Sequence, residues 1–186
     1  MQNVPWALPF VTCLLGAAAA AAEPAPSSRE LAARVGARAL GEYDEHGGST
    51  IAGGGPGLEL QAGWRVSPAL SFGALGSLGW TYATSGRYAV RQLQATVGPV
   101  LDLHFGAAHV GASVGLGTDR VTLEDGSRWL RCWDLALLSG YTLARRDGFA
   151  PQVTATLAAT VIDYTYSVGH QDQVAATAQL SVGALF

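Results

Sequence analysis

Two histidines of this chain stand among carboxylates. His46 follows Asp44 and Glu45, and His170 is separated from Asp172 by one residue. Two imidazoles with nearby carboxylates could hold Zn²⁺ or serve as a general acid and base. Neither run has a fixed short spacing on a regular element, so solvated loop residues are the plain expectation and no metal or cofactor is assigned. A second set of charges is dispersed rather than clustered: Arg34, Arg38, Glu59, Arg65, Asp102, His104 and Asp134 each occur inside an otherwise alternating stretch. Their natural chemistry is ion pairing, and Arg38 with Glu59 is the expected close pair. No nucleophile with an adjacent base stands out, so catalytic residues are expected to be absent.

The elements that would position these groups follow from composition and period. The chain has 186 residues, enough for one domain with a full core. Charged residues make up 13% against a norm of about a quarter, apolar residues make up 49%, and every basic residue is Arg. The formal charge is −3 with no concentration of Arg, which argues against a nucleic-acid partner. Water does not bathe most of such a surface.

Residues 1–22 read as a secretory signal peptide: an apolar run from Val4 ends in an Ala-rich tract with A-x-A sites, before the first charge at Glu23. No basic residue precedes the run, which a misassigned start or a retained membrane helix would also explain. Cys13 falls inside the run without the small residues of a lipoprotein site, leaving Cys132 as the single mature thiol and no intrachain disulfide. Residues 23–30 form a Pro/Ser linker, and 31–186 the folded domain.

That domain divides into about eight alternating segments separated by turn residues. Leu31, Ala33, Val35, Ala37 and Ala39 oppose Arg34, Gly36 and Arg38. Leu58, Leu60, Ala62, Trp64 and Val66 oppose Glu59, Gln61, Gly63 and Arg65. The pattern continues through segments beginning near Ala69, Gln92, Val110, Trp129 and Phe149, and ends in QVAATAQLSVGALF from Gln173. Glu45–Gly57 and Asp119–Ser127 read as loops, and Pro99 predicts a bulge or a broken pair within the fourth strand.

One buried face also gives alternation in soluble sandwiches and lipocalin-like barrels, but here the polarity is inverted. Bulk lies on the apolar parity, whereas Gly, Ser, Thr and Gln dominate the other, where a soluble sheet would carry Lys, Glu and Arg. With both chain ends on one side, Trp64, Phe72, Phe105, Tyr141, Phe149 and Phe186 fall at the lower rim. Tyr43, Trp80, Tyr82, Trp129, Trp133 and Tyr164 fall at the upper one. The ten residues from Phe72 to Tyr82, at about 3.3 Å each and a tilt of about 40°, rise about 25 Å, the height of the apolar band of a membrane barrel. A sheet in hydrocarbon cannot keep an unpaired edge, so the last strand must close on the first.

The tail resembles the C-terminal assembly signal of bacterial outer-membrane barrels, with Phe186 last and Ala184, Val182 and Leu180 at alternate positions before it; Ala184 is smaller than usual there. The resemblance implies a closed eight-stranded antiparallel up-and-down transmembrane β-barrel, similar in architecture to OmpA, OmpX and OmpW. It implies outer-membrane lipid and lipopolysaccharide as surroundings, the barrel-assembly machinery as a partner during insertion, and a monomer. Three functions are then open: a structural or interaction protein, a passive conduit for small solutes, or a lipid A-modifying enzyme. The last resembles this chain in size, but the His-x-Ser motif of the deacylases is missing. Cys132, His104 and His109 read as core or solvated residues.

Overall fold

A computed structural model describes residues 28–43, 50–85, 88–123, 126–143, 149–166 and 169–186. The segment expected to be a signal peptide lies outside them. So do Asp44, Glu45 and His46, and the side chains of His170 and Asp172. Eight strands follow one another in chain order: β1 (Ser28–Tyr43), β2 (Thr50–Ser67), β3 (Leu70–Ser85), β4 (Tyr88–Phe105), β5 (Ala108–Leu123), β6 (Gly126–Thr142), β7 (Ala150–Tyr166) and β8 (Gly169–Leu185). Each pairs antiparallel with its chain neighbours, and β8 returns to β1, closing the barrel. At the seam the Phe186 amide donates to the Leu31 carbonyl at 2.8 Å, so the terminal residue joins the ladder.

The register fixes the barrel's shape. Starting at Ala33, the partners run through Leu60, Gly76, Val97, Leu116, Trp133, Val161 and Val174 and return to β1 at Tyr43. One circuit therefore displaces the strand from position 33 to 43, a stagger of 10 residues over 8 strands. Ten rises of about 3.3 Å against eight strand spacings of about 4.8 Å give a tilt of about 40°. At that tilt the interior is just wide enough for side chains to fill.

The inversion seen in the sequence is present in three dimensions. Val35, Leu60, Val97, Leu116, Leu137, Leu157 and Leu180 point outward and are exposed, whereas Arg34, Glu59, Gln94, Asp102, Thr154 and Ser181 point inward and are buried. The apolar exterior needs hydrocarbon as its solvent, since so continuous an exposed apolar surface is not tolerated in water. Among the described residues no helix is long and apolar enough to cross a membrane; the strands form the wall.

Several boundaries differ from expectation. β1 begins at Ser28, ahead of the expected Leu31. The Gly-rich run Gly53–Gly57, expected as loop, pairs with β1 as part of β2. The small residue at Gly57 is a packing requirement, since a Cβ there would collide with the Gln179 side chain; in β3 a Cβ on Gly79 would likewise meet the Arg38 guanidinium. Asp119, also expected in a loop, lies within β5, fully buried. Around Pro99 the β4–β5 ladder lapses between Val97↔Leu116 and Val100↔Ser113 without a change of register, so the interruption is a broken pair and not a bulge. Proline has no N–H to give. The β2–β3 ladder lapses in the same way at Gly55–Pro56, and a register shift occurs instead between Arg65 and Ser67, beside the β2–β3 turn.

Candidate functional site

The lumen is the candidate site, because the buried polar groups converge there. At the lower end Arg65 pairs with Glu30, Nε to Oε1 at 2.8 Å, and donates to His104 Nδ1 at 3.2 Å. The other ring nitrogen of His104 lies 2.9 Å from the Ser71 hydroxyl. With Arg65 occupying Nδ1 as a donor, Nε2 carries the hydrogen and Ser71 accepts it. His109 packs beside His104, with ring centroids 6.0 Å apart.

Above this lies the most connected group. Arg34 Nη1 donates to Glu59 Oε2 at 3.3 Å, Nε donates to Gln152 Oε1 at 3.3 Å, and Nη2 donates to Gln61. Gln61 in turn donates to Asp102, Thr156 donates to Glu59 Oε1 at 2.8 Å, and Gln152 donates to Thr142 at 2.9 Å. The expected Arg38–Glu59 pair is not made. The register sets Arg34 opposite Glu59 and Arg38 opposite Gly55, so Arg34 takes the carboxylate. Arg38 reaches across to Gln94, which donates onward to Thr160 at 3.0 Å. Asp134 accepts from Thr96 at 3.1 Å, and Asp119 accepts from Gln92.

Two apolar layers interrupt these polar tiers. Leu75, Val100 and Leu138 form one buried cluster. Leu40, Cys132, Ile162 and Ala175, with Leu130 against them, form the other toward the upper end. The space left between tiers is a cavity of about 30 Å³ lined in part by Arg38, Glu59, Leu75, Asp134 and Gln179. Among the described residues the interior is filled by side chains arranged in tiers.

Sequence reasoning named seven lumen groups, and the structure brings Arg34, Glu59 and Asp102 into one network, Arg65 and His104 into another, and Arg38 and Asp134 around the central cavity. It placed Gln61, Gln92, Gln94 and Gln152 on the inward parity but did not name them as members of the networks. It also missed Leu75, Val100 and Leu138, which occupy the same parity as Gly, Ser and Asp and carry no polar signal. Cys132 is buried and unpaired. Among the described residues no group of three His, Cys, Asp or Glu side chains could hold a metal ion.

On the outside, Trp64, Phe72, Phe105, Tyr141, Phe149 and Phe186 are exposed along the lower rim, and Trp80, Tyr82, Trp129 and Trp133 along the upper one. Trp64 and Phe72 sit opposite each other in register with ring centroids 5.7 Å apart. The backbones of Tyr43 and Tyr164 lie in β1 and β7; their side chains lie outside the described residues. Of the tail, Leu180, Val182 and Phe186 face outward and exposed, with Ala184 half-buried between them.

No protein-family model matches the sequence, and neither does any curated protein. Solved structures do. Neisserial surface protein A matches with a TM-score of 0.57 and 16% identity, over 87% of this chain and 98% of that one. This chain is a small eight-stranded barrel of the bacterial outer-membrane type. The barrel is also similar to the outer membrane protein AlkL, at 17% identity over 88% of this chain and 94% of that one with a TM-score of 0.49. The attachment invasion locus protein Ail of Yersinia pestis matches at 16% identity over 84% and 98%, with a TM-score of 0.44. At 16% identity the likeness to Neisserial surface protein A is one of fold.

Proposed function

We propose that this barrel is a non-catalytic structural and interaction protein of the outer membrane, whose lumen is a rigid filling and whose work is done by its outer surface and loops. The observation that supports this reading is the filling of the lumen among the described residues: the Leu75, Val100 and Leu138 cluster and the Arg34–Glu59 network flank a cavity of about 30 Å³. A solute path would need these groups to part, stranding buried charges at several kcal/mol each. The same reading takes the tail from Leu180 to Phe186 as the segment offered to the assembly machinery during insertion, and the barrel as a monomer.

Liposome swelling and planar-bilayer recording test it. The purified protein is expected to pass neither sugars nor ions, and Glu59→Ala is expected to leave conductance at the unmodified baseline. Steady single-channel conductance of the unmodified protein would establish the conduit instead. For the enzymatic alternative the readout is the mass spectrum of lipid A from cells making the protein, which is expected to match that of cells lacking it.

A further inference from the structure

Among the described residues the apolar wall carries a cluster of charges near its upper end that neither the lumen nor the barrel's closure uses. Arg91 in β4, Arg120 in β5 and Arg131 in β6 all point outward and are exposed. Their level is fixed by the register: Arg91 stands opposite Tyr82, Arg120 opposite Trp129, and Arg131 lies on the outward face of β6 between Trp129 and Trp133. All three are therefore level with the upper aromatic girdle, where headgroups meet the hydrocarbon. Arg91 pairs with Thr122 and Arg131 with Thr118, which puts Arg120 on the diagonal to both. Diagonal neighbours lie about 7–8 Å apart, so Arg120 can share an anion with Arg91 on one side or with Arg131 on the other. Arg120 is already held: its Cζ sits 5.6 Å from the centre of the Trp129 ring, and Nη2 donates to the Ser127 hydroxyl at 3.3 Å. Asp163, opposite Arg131 in register, is the acidic member of the patch and has bonding of its own. Among the described residues the patch stays net positive. Among the described residues the lower girdle carries one outward arginine, Arg29, opposite Trp64.

A second feature adjoins the patch. Two residues below Arg91 on the same face, Leu93 forms part of an apolar groove of about 850 Å³ that runs obliquely down the wall across β3, β2 and β1. Its floor is low because Ala37 and Pro56 face outward there, and Leu58, Leu78 and Trp80 rise around it.

We propose that Arg91, Arg120 and Arg131, taken in adjacent pairs, bind the phosphate groups of a phosphorylated glycolipid of the outer leaflet, with an acyl chain of the same molecule lying in the adjoining groove. Guanidinium groups suit this task because their planar N–H forks match phosphate oxygens two at a time, and interfacial placement removes much of the competing water. Bulk lipid needs no such site, whereas a phosphate with attached acyl chains satisfies charge patch and groove together. The inference rests on the outer-membrane reading, and it is independent of whether the lumen conducts.

The test uses the protein purified in detergent, with bis-phosphorylated lipid A as the probe and native mass spectrometry as the readout. Arg91→Gln, Arg120→Gln and Arg131→Gln are each expected to weaken binding about fivefold, and the triple variant on the order of a hundredfold, from about 1 kcal/mol per interfacial basic residue. Arg29→Gln removes the same charge at the lower girdle and is expected to change affinity less than twofold. Ala37→Leu intrudes on the groove and is expected to weaken binding about fourfold for each lipid methylene it displaces. Every variant is first shown to migrate as a folded, heat-modifiable species, so loss of binding is not loss of fold. The proposal is overturned if the triple variant keeps its affinity, if Arg29→Gln costs as much, or if chemically dephosphorylated lipid A binds equally well. It is also overturned if millimolar inorganic phosphate displaces the lipid completely, since the patch would then be a simple anion site, or if phosphatidylglycerol competes on equal terms.

Discussion

Deleting the Glu59 carboxylate probes the lumen where its energetics are most exposed to measurement. Glu59 and Arg34 are 2% and 3% exposed, and the carboxylate accepts from both Arg34 and Thr156. Removing one partner of a buried ion pair costs about 3–5 kcal/mol, because the survivor remains desolvated. In Glu59→Ala, Arg34 still has Gln61 and Gln152 as acceptors, which places the loss at the low end, about 3 kcal/mol; the stranded Thr156 hydroxyl adds about 1 kcal/mol. The double variant Arg34→Met, Glu59→Leu leaves no unpaired charge and is expected to cost less than Glu59→Ala alone, a non-additivity of at least about 2 kcal/mol in the cycle. The assay is urea unfolding in phospholipid vesicles, followed by tryptophan fluorescence and gel mobility at low and high salt. Because the pair is sealed from solvent, the loss should be nearly independent of ionic strength. A loss below about 1 kcal/mol for Glu59→Ala, or simple addition of the two single variants, would refute the claim that these charges are desolvated and mutually required.

Three further outcomes follow from the packing. Leu138→Ala, at a position 1% exposed in the waist cluster, should cost about 2–5 kcal/mol by leaving a cavity, read as a shift of the same urea midpoint. Gly79→Ala should cost about 1–3 kcal/mol as the new methyl meets the Arg38 guanidinium, and Gly79→Ala combined with Arg38→Met should recover part of that loss. Cys132, 5% exposed and inward, should resist a maleimide reagent in the folded barrel and react fully once the protein is unfolded, as mass spectrometry would report.

Much of this architecture is legible in the sequence because period-two alternation needs no knowledge of partners. Each strand's apolar parity, from Leu31 in β1 to Phe186 after β8, fixes which side faces lipid, and a closed edge follows from the absence of water there. Register is a different matter. Whether Arg34 or Arg38 meets Glu59 depends on a difference of four residues in the alignment of β1 and β2, and that is fixed by the stagger of 10 residues around the whole ring. No local pattern encodes it. The Gly53–Gly57 run misleads for a related reason: glycine signals loop when read alone, yet Gly57 makes room for Gln179 arriving from β8, far off in the chain. Asp119 misleads in the same way, since a lone carboxylate near a turn reads as solvated until Gln92 is brought beside it. The waist leucines and the outward arginines were passed over because each departs from the parity rule that exposed the fold. Departures from a strong pattern mark where the barrel does more than cross a membrane.

The account stands on bulk facing lipid and small polar groups facing inward, and spin labels scanned along β6 from Trp129 to Tyr141 in a Cys132→Ala background measure that directly. Labels at Trp129, Arg131, Trp133, Leu135, Leu137, Ser139 and Tyr141 are expected to be accessible to oxygen dissolved in the bilayer, with the maximum near Leu135 and Leu137. Labels at Asp134, Ala136 and Leu138 are expected to be shielded from oxygen and from a water-soluble nickel reagent alike. Oxygen accessibility without a period of two, or nickel contact at Leu135 and Leu137, would contradict it.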